Sequence, residues 1–218
     1  MRETVEHKRA RVAKSIPRLK KAYPDAKLAL DFSNPLELLV ALILAAQARD
    51  DVVNKLTADL FRQYRTAGDW ANQKPEVLQR QLSHLNFFRN KTRSIQRACR
   101  VLVENFNGKV PNTIDELLSL PGVGRKTANI LLGNVFGKPA IGVDTHVARV
   151  SQRLGLAKEG ADPDEIELAL VEVVPQKEWV KFCHLLQFHG RQVCVARVPD
   201  CSHCPINQLC PFPKKPKT

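Results

Sequence analysis

Residues 113–132 constrain this chain more tightly than any other stretch, because they can fold only as a helix, a tight turn and a second helix. Thr113-Ile-Asp-Glu116 is a capping box: the Thr113 hydroxyl accepts from the Glu116 amide, and the Glu116 side chain reaches back. A short helix therefore starts near Ile114 and sets Ile114, Leu117, Leu118 and Leu120 on its apolar side. Pro121 ends it, since proline cannot continue the hydrogen-bond ladder. Gly122 and Gly124 can take positive φ without strain, and a new helix begins near Arg125. The amides of Gly122, Val123, Gly124 and Arg125 then point outward unpaired, which makes an anion site suited to phosphate. The spacing differs from G-x-x-x-x-G-K-[ST], so no nucleotide P-loop is indicated.

Lys126 follows in the first turn of the second helix, beside Arg125. A lone lysine next to such a turn more often only neutralises a phosphate. It is also a position from which an amine can act as a Schiff-base nucleophile. Asp144 precedes Thr145-His-Val-Ala-Arg149, the opening of a further helix, and is suited to cap it. A capping carboxylate is held rigidly, so the same group can also serve chemistry. His146 has no second ligand at i+3 or i+4 and reads as a hydrogen-bonding residue rather than a metal ligand.

The remainder is helical in pattern. Ser33-Asn34-Pro35 starts a helix over about 36–48 that is apolar nearly all round and so belongs at the centre of a core. Val52, Val53, Leu56, Leu60, Phe61 and Tyr64 mark the next, and a shorter helix lies near 75–83. Ile95, Ala98, Cys99, Leu102, Val103 and Phe106 keep helical spacing up to the stop signal Asn107-Gly108. Further helices are expected near 144–154, 163–174 (Asp162 cap, Pro163 first) and 177–189. No stretch holds period-two alternation, so the fold class is all-α. The Pro/Lys tail, 211–218, is expected to be disordered.

A length of 218 residues with 44% hydrophobic content allows one sizeable domain or two small ones sharing a cleft. The longest apolar run, 38–46, is too short to span a bilayer, and the charged start has no signal-peptide core, so a soluble intracellular protein is expected. A net charge of +12 points to a polyanionic partner. Residues 1–21 hold eight Lys/Arg against two acids, and 89–100 hold five with none, whereas 159–172 hold six acids and no base. One side can meet a polyanion while an acidic helix faces away.

Cys194, Cys201, Cys204 and Cys210 fall within 17 residues with spacings x6, x2 and x5, which reads as a metal site before disulfides. Zinc and an iron–sulfur cluster both accept four thiolates, and spacing leaves the two balanced. Cys99 and Cys183 sit on apolar helix faces and are expected to be inert buried residues.

Taken together, residues 120–128, Val143-Asp-Thr-His146 and the C-x6-C-x2-C-x5-C ending resemble the endonuclease III family, DNA glycosylases with a lyase activity in the helix-hairpin-helix superfamily. The resemblance runs from about residue 15 to 212. It implies a [4Fe-4S] cluster on the four cysteines and two helical domains gripping DNA across a cleft. One would be a six-helix barrel over about 28–138, the other a cluster domain from 1–27 and 139–218. It further implies Lys126 as nucleophile, Asp144 as catalytic carboxylate, and Gln47 as the residue filling the gap left by an extruded nucleotide. Thr145 and His146 join the DNA-binding set, and Arg197 in the 195–200 loop is a further candidate phosphate contact. The family usually drives a leucine wedge into the duplex; here the stretch is His84-Leu-Asn-Phe-Phe-Arg-Asn-Lys91, in which Phe87 is favoured over Phe88 as the wedge and one ring of the pair is expected to pack as core. The implied activity is base-excision repair of oxidised pyrimidines with abasic-site cleavage, by a nucleoid-associated cytoplasmic monomer acting on double-stranded DNA. A monofunctional glycosylase of the superfamily would usually lack Lys126, and a non-catalytic DNA-binding protein would not need Lys126 and Asp144 together.

Overall fold

The computed structural model describes residues 3–212; of the tail expected to be disordered, 211–218, residues 213–218 lie outside the described residues, whereas Phe212 is placed, its ring 4.7 Å from the Arg153 guanidinium. Eleven α-helices and no strand occur among them. They are α1 (Val5–Ala22), α2 (Pro35–Ala45), α3 (Asp50–Gln63), α4 (Ala67–Asn72), α5 (Pro75–Gln81), α6 (Phe88–Phe106), α7 (Ile114–Leu118), α8 (Arg125–Val135), α9 (Thr145–Arg153), α10 (Pro163–Val173) and α11 (Trp179–Gln192). No helix among the described residues is long and apolar enough to cross a membrane. The chain divides into two compact units, Leu28–Lys138 and Met1–Lys27 with Pro139–Thr218.

In the unit Leu28–Lys138, α2 is central and packs against α3, α6 and α8. Its apolar circumference explains this: Leu38, Leu39, Val40, Ala41 and Leu44 are fully buried. Asn34 caps it, accepting from the Glu37 amide at 3.0 Å, with Pro35 at the first position. The helix stops at Ala45 rather than near 48, because Ala46 leaves helical geometry and Gln47 turns left-handed at φ 54°. The six-residue α4, absent from the periodicity, is held by a capping box between Thr66 and Asp69 and buries Trp70. Helix α6 ends where Asn107-Gly108 predicts, both at positive φ, with the Gly108 amide donating to the Leu102 carbonyl at 2.8 Å.

The other unit joins α1 to α9, α10 and α11 around Val12, Ile16, Leu19, Val147, Val150, Leu170 and Leu186. Helix α1 is hidden in the sequence by its basic residues, yet Val12, Ile16 and Leu19 at i, i+4 and i+7 form its buried stripe. Lys181 Nζ ties α11 to the N-terminal segment by donating to the Ala26 carbonyl at 2.7 Å. Cys99 and Cys183 are buried as expected, and burial pushes both thiols up to about 12.

Candidate active site and candidate metal centre

The hairpin is built as the sequence requires, with three refinements. Leu117, Leu120 and Val123 are buried and anchor the turn, whereas Leu118 is exposed. The Glu116 amide donates to Thr113 Oγ1 at 3.4 Å, but the Glu116 carboxylate takes the Thr113 hydroxyl at 2.5 Å rather than the backbone amide. Only Gly122 needs positive φ (83°); Gly124 is extended at φ −98°. A Cβ on Gly122 would sit 3.1 Å from Ser94 Cβ, so the turn lies hard against α6, while a Cβ on Gly124 would meet nothing within 4 Å.

The Val123 amide is not free for a ligand, since it donates to the Leu120 carbonyl at 3.1 Å. Helix α8 has Gly124 at its N-cap position and so no side-chain cap, unlike α7, α9 and α10. The positive end of α8 therefore opens beside a glycine that leaves room for a bulky anion. Arg125 and Lys126 are exposed on that first turn.

Gln47 and Phe87, in the same unit, are both exposed and both left-handed, at φ 54° and 59°. Such backbone costs on the order of 1–3 kcal/mol in a residue with a side chain and persists where surrounding structure imposes it. Phe87 is 59% exposed, a large apolar ring left in water. Phe88 is half-buried, and the Arg89 guanidinium lies 5.3 Å from its ring centroid.

In the other unit, Asp144 caps α9 through one oxygen: Oδ1 accepts from the His146 amide at 2.9 Å and from the Val147 amide at 2.7 Å. Oδ2 accepts no hydrogen bond from the described residues. Thr145 is exposed and His146 half-buried. Burial holds His146 below the usual imidazole range, helped by the positive charges of Arg149 and Arg191 and opposed by Asp144. Arg149, which the sequence did not flag, lies 3.1 Å from His146 Nδ1 and donates to the carbonyls of Gly190 (2.8 Å) and Cys194 (3.0 Å).

Cys194, Cys201, Cys204 and Cys210 line one cavity of about 20 Å³, walled by Val150, Leu154, Ile206 and Phe212. Burial and the neighbouring thiols push Cys204 up to about 11, and burial chiefly raises Cys210. A cationic inorganic group would reverse that tendency, so the donor set fits one. Among the described residues no three His, Cys, Asp or Glu side chains converge on a point where a single ion could sit. Arg153, also unflagged, donates to Cys194 Sγ at 3.3 Å and to the Val195 and Ala196 carbonyls at 2.7 Å each. His189 Nε2 lies 3.5 Å from Cys204 Sγ, and its Nδ1 is hydrogen-bonded to the Tyr23 hydroxyl at 2.9 Å. Arg197 is exposed in the adjoining loop, next to Val198, which is 81% exposed.

These features define a class of protein. The family described as the HhH-GPD superfamily of base excision DNA repair proteins matches residues 40–176. Endonuclease III of Synechocystis sp. is 47% identical over 205 residues, covering 94% of this chain and 93% of the relative. The Escherichia coli K12 endonuclease III is 40% identical, covering 92% and 94%. A solved structure described as a trapped endonuclease III–DNA covalent intermediate superposes with a TM-score of 0.90 at 42% identity, covering 94% of this chain and 97% of that one. A thermostable thymine-DNA glycosylase, at 21% identity and a TM-score of 0.85, shares the fold. The chain belongs to the endonuclease III family.

Proposed function

We propose that the chain is a bifunctional DNA glycosylase and abasic-site lyase of base-excision repair that removes oxidised pyrimidines from double-stranded DNA as a monomer. The observation carrying this reading is Lys126, exposed in the first turn of the uncapped α8 directly after the Gly122-Val-Gly124 turn. There an amine stands beside a seat for the DNA backbone. Descent from a family with a trapped enzyme–DNA covalent intermediate supports it.

A damaged pyrimidine pairs weakly, so flipping it out costs least. Phe87 would fill the unstacked step and Gln47 the vacated position, both being exposed and backbone-constrained. The Lys126 amine attacks C1′ of the deoxyribose, and the C1′–N bond to the base breaks as the base leaves with a proton. The Asp144 carboxylate stabilises positive charge developing on the sugar and assists proton transfers, using the oxygen its capping role leaves uncommitted. Ring opening gives a Schiff base between Lys126 and C1′. Loss of a C2′ proton then expels the 3′ phosphate by β-elimination, and water releases the lysine. Thr145, His146 and Arg197 are further candidate DNA contacts on their unit.

Cys194, Cys201, Cys204 and Cys210 would hold a [4Fe-4S] cluster, four thiols facing one cavity being the ligand set that such a cluster takes. When bound, it supplies four iron–thiolate bonds that fold the loop carrying Arg197. Borohydride reduction on DNA with an abasic site should trap a covalent adduct with the native chain and none with Lys126→Ala. A native protein giving no adduct removes the lyase activity from this reading. Visible absorption from bound iron and sulfide tests the cluster, and a colourless protein with one zinc would overturn it.

A further inference from the structure

The exposed face of α6 carries a charge pattern that the reaction above does not use. Arg89, Arg93, Arg97 and Arg100 are all exposed, while Ile95, Ala98, Cys99 and Leu102 form the buried face. At 3.6 residues per turn the four arginines fall in one stripe about 80° wide and about 16 Å long. No Asp or Glu occurs in residues 83–103; Glu104 closes the stripe at its far end. Arg89 stacks on Phe88 and Arg93 donates to the Asn90 side chain, and none of the four arginines forms an ion pair among the described residues.

A solvated helix face ordinarily mixes signs. Here the spacing works against the isolated helix twice. Like charges at i and i+4 cost about 0.2–0.5 kcal/mol per pair. Cations near the N-terminus oppose the helix dipole, and the first turn has no acid to offset them. Each of these penalties becomes a gain once a polyanion lies along the stripe.

The position of the stripe identifies the polyanion. It starts at the left-handed, exposed Phe87. The phosphate-binding turn packs beside it, Gly122 lying against Ser94, the residue after Arg93. Within this one unit, the arginine row therefore continues the surface formed by the wedge residue and the hairpin. We infer that Arg93, Arg97 and Arg100 form a second phosphate-binding track on α6, gripping the duplex backbone away from the damaged nucleotide. The inference rests on the reading that DNA is the substrate. Contacts of this kind carry no sequence information, which suits an enzyme that scans all DNA.

The test is equilibrium binding of a duplex with a reduced abasic site, across a salt series, for the native chain and two triple variants. Each phosphate contact contributes about 0.9 to the slope of log K against log salt. The variant R93Q/R97Q/R100Q should therefore flatten the slope by about 2 to 3, with no loss of thermal stability. The charge-preserving R93K/R97K/R100K should keep the native slope. An unchanged slope in the glutamine variant, or an equal flattening in the lysine variant, overturns the track. A native protein that binds and cleaves no abasic DNA would instead defeat the functional reading on which the track depends.

Discussion

Asp144 has two duties that one atom can separate. Its Oδ1 takes the amides of His146 and Val147, so Asp144→Ala removes two hydrogen bonds at the start of α9. Loss of an N-cap costs about 0.5–2 kcal/mol. Here the upper end applies, because Val147 is fully buried and water cannot take over its amide. A loss of about 2 kcal/mol corresponds to a fall in Tm of about 4–8 °C for a chain of this size. Asp144→Asn keeps an oxygen acceptor in the same place, and asparagine caps as well as aspartate, so its Tm should stay within about 2 °C of native. Both variants lack the carboxylate, and both should lose about 10²–10⁴ in the single-turnover rate of base release. Thermal melts at one scan rate, paired with single-turnover assays, separate the two duties. Were Asp144→Asn to melt with Asp144→Ala, the cap would not explain the stability. If Asp144→Asn excised bases at the native rate, the charge would have no catalytic part.

Other substitutions probe the remaining elements. Gly122→Ala forces a Cβ onto a backbone at φ 83° and toward Ser94, and should destabilise the fold by about 1–3 kcal/mol in a denaturant titration. Gly124→Ala meets open space and should leave stability unchanged while weakening binding to abasic duplex, since the Cβ occupies the approach to the α8 amides. Phe87→Gly relieves left-handed strain and exposes no core, so stability should hold or rise by about 1 kcal/mol as base excision falls about tenfold or more. Lys91 is buried with its Nζ unpartnered, and burial lowers its pKa from 10.5. Below the folded pKa the amine is charged in both folded and unfolded states and the full burial cost stands. As pH rises through that value toward 10.5, the folded amine becomes neutral while the unfolded one stays charged, and the native protein gains stability. Lys91→Met should therefore be more stable than native at neutral pH, with a margin that narrows as pH approaches 10.5. A constant margin in denaturant titrations across that range would contradict the burial argument.

Much of this protein was legible in residue order because its signals are short-range. A cap joins residues three apart, an apolar stripe repeats every three or four, and a cysteine set on one loop shows its own spacing. Asn34, Thr113, Asp144 and Asp162 all cap the helices their positions predict. The helix–turn–helix around Gly122, the all-α class and the cysteine loop follow from the same locality. Helix α1 escaped because its basic residues outnumber its buried stripe, and α4 because six residues hold no full repeat. Packing settled the rest. Neither Gln47 nor Phe87 has a local reason to be left-handed, and nothing in sequence separates an exposed Phe87 from a half-buried Phe88. Gly122 and Gly124 look alike in sequence, yet only Gly122 lies against Ser94. Around the four thiols, Tyr23, Arg153 and His189 arrive from three separate helices or their ends. Spacing along the chain cannot anticipate such meetings, because they depend on where whole helices come to rest once their apolar faces are buried.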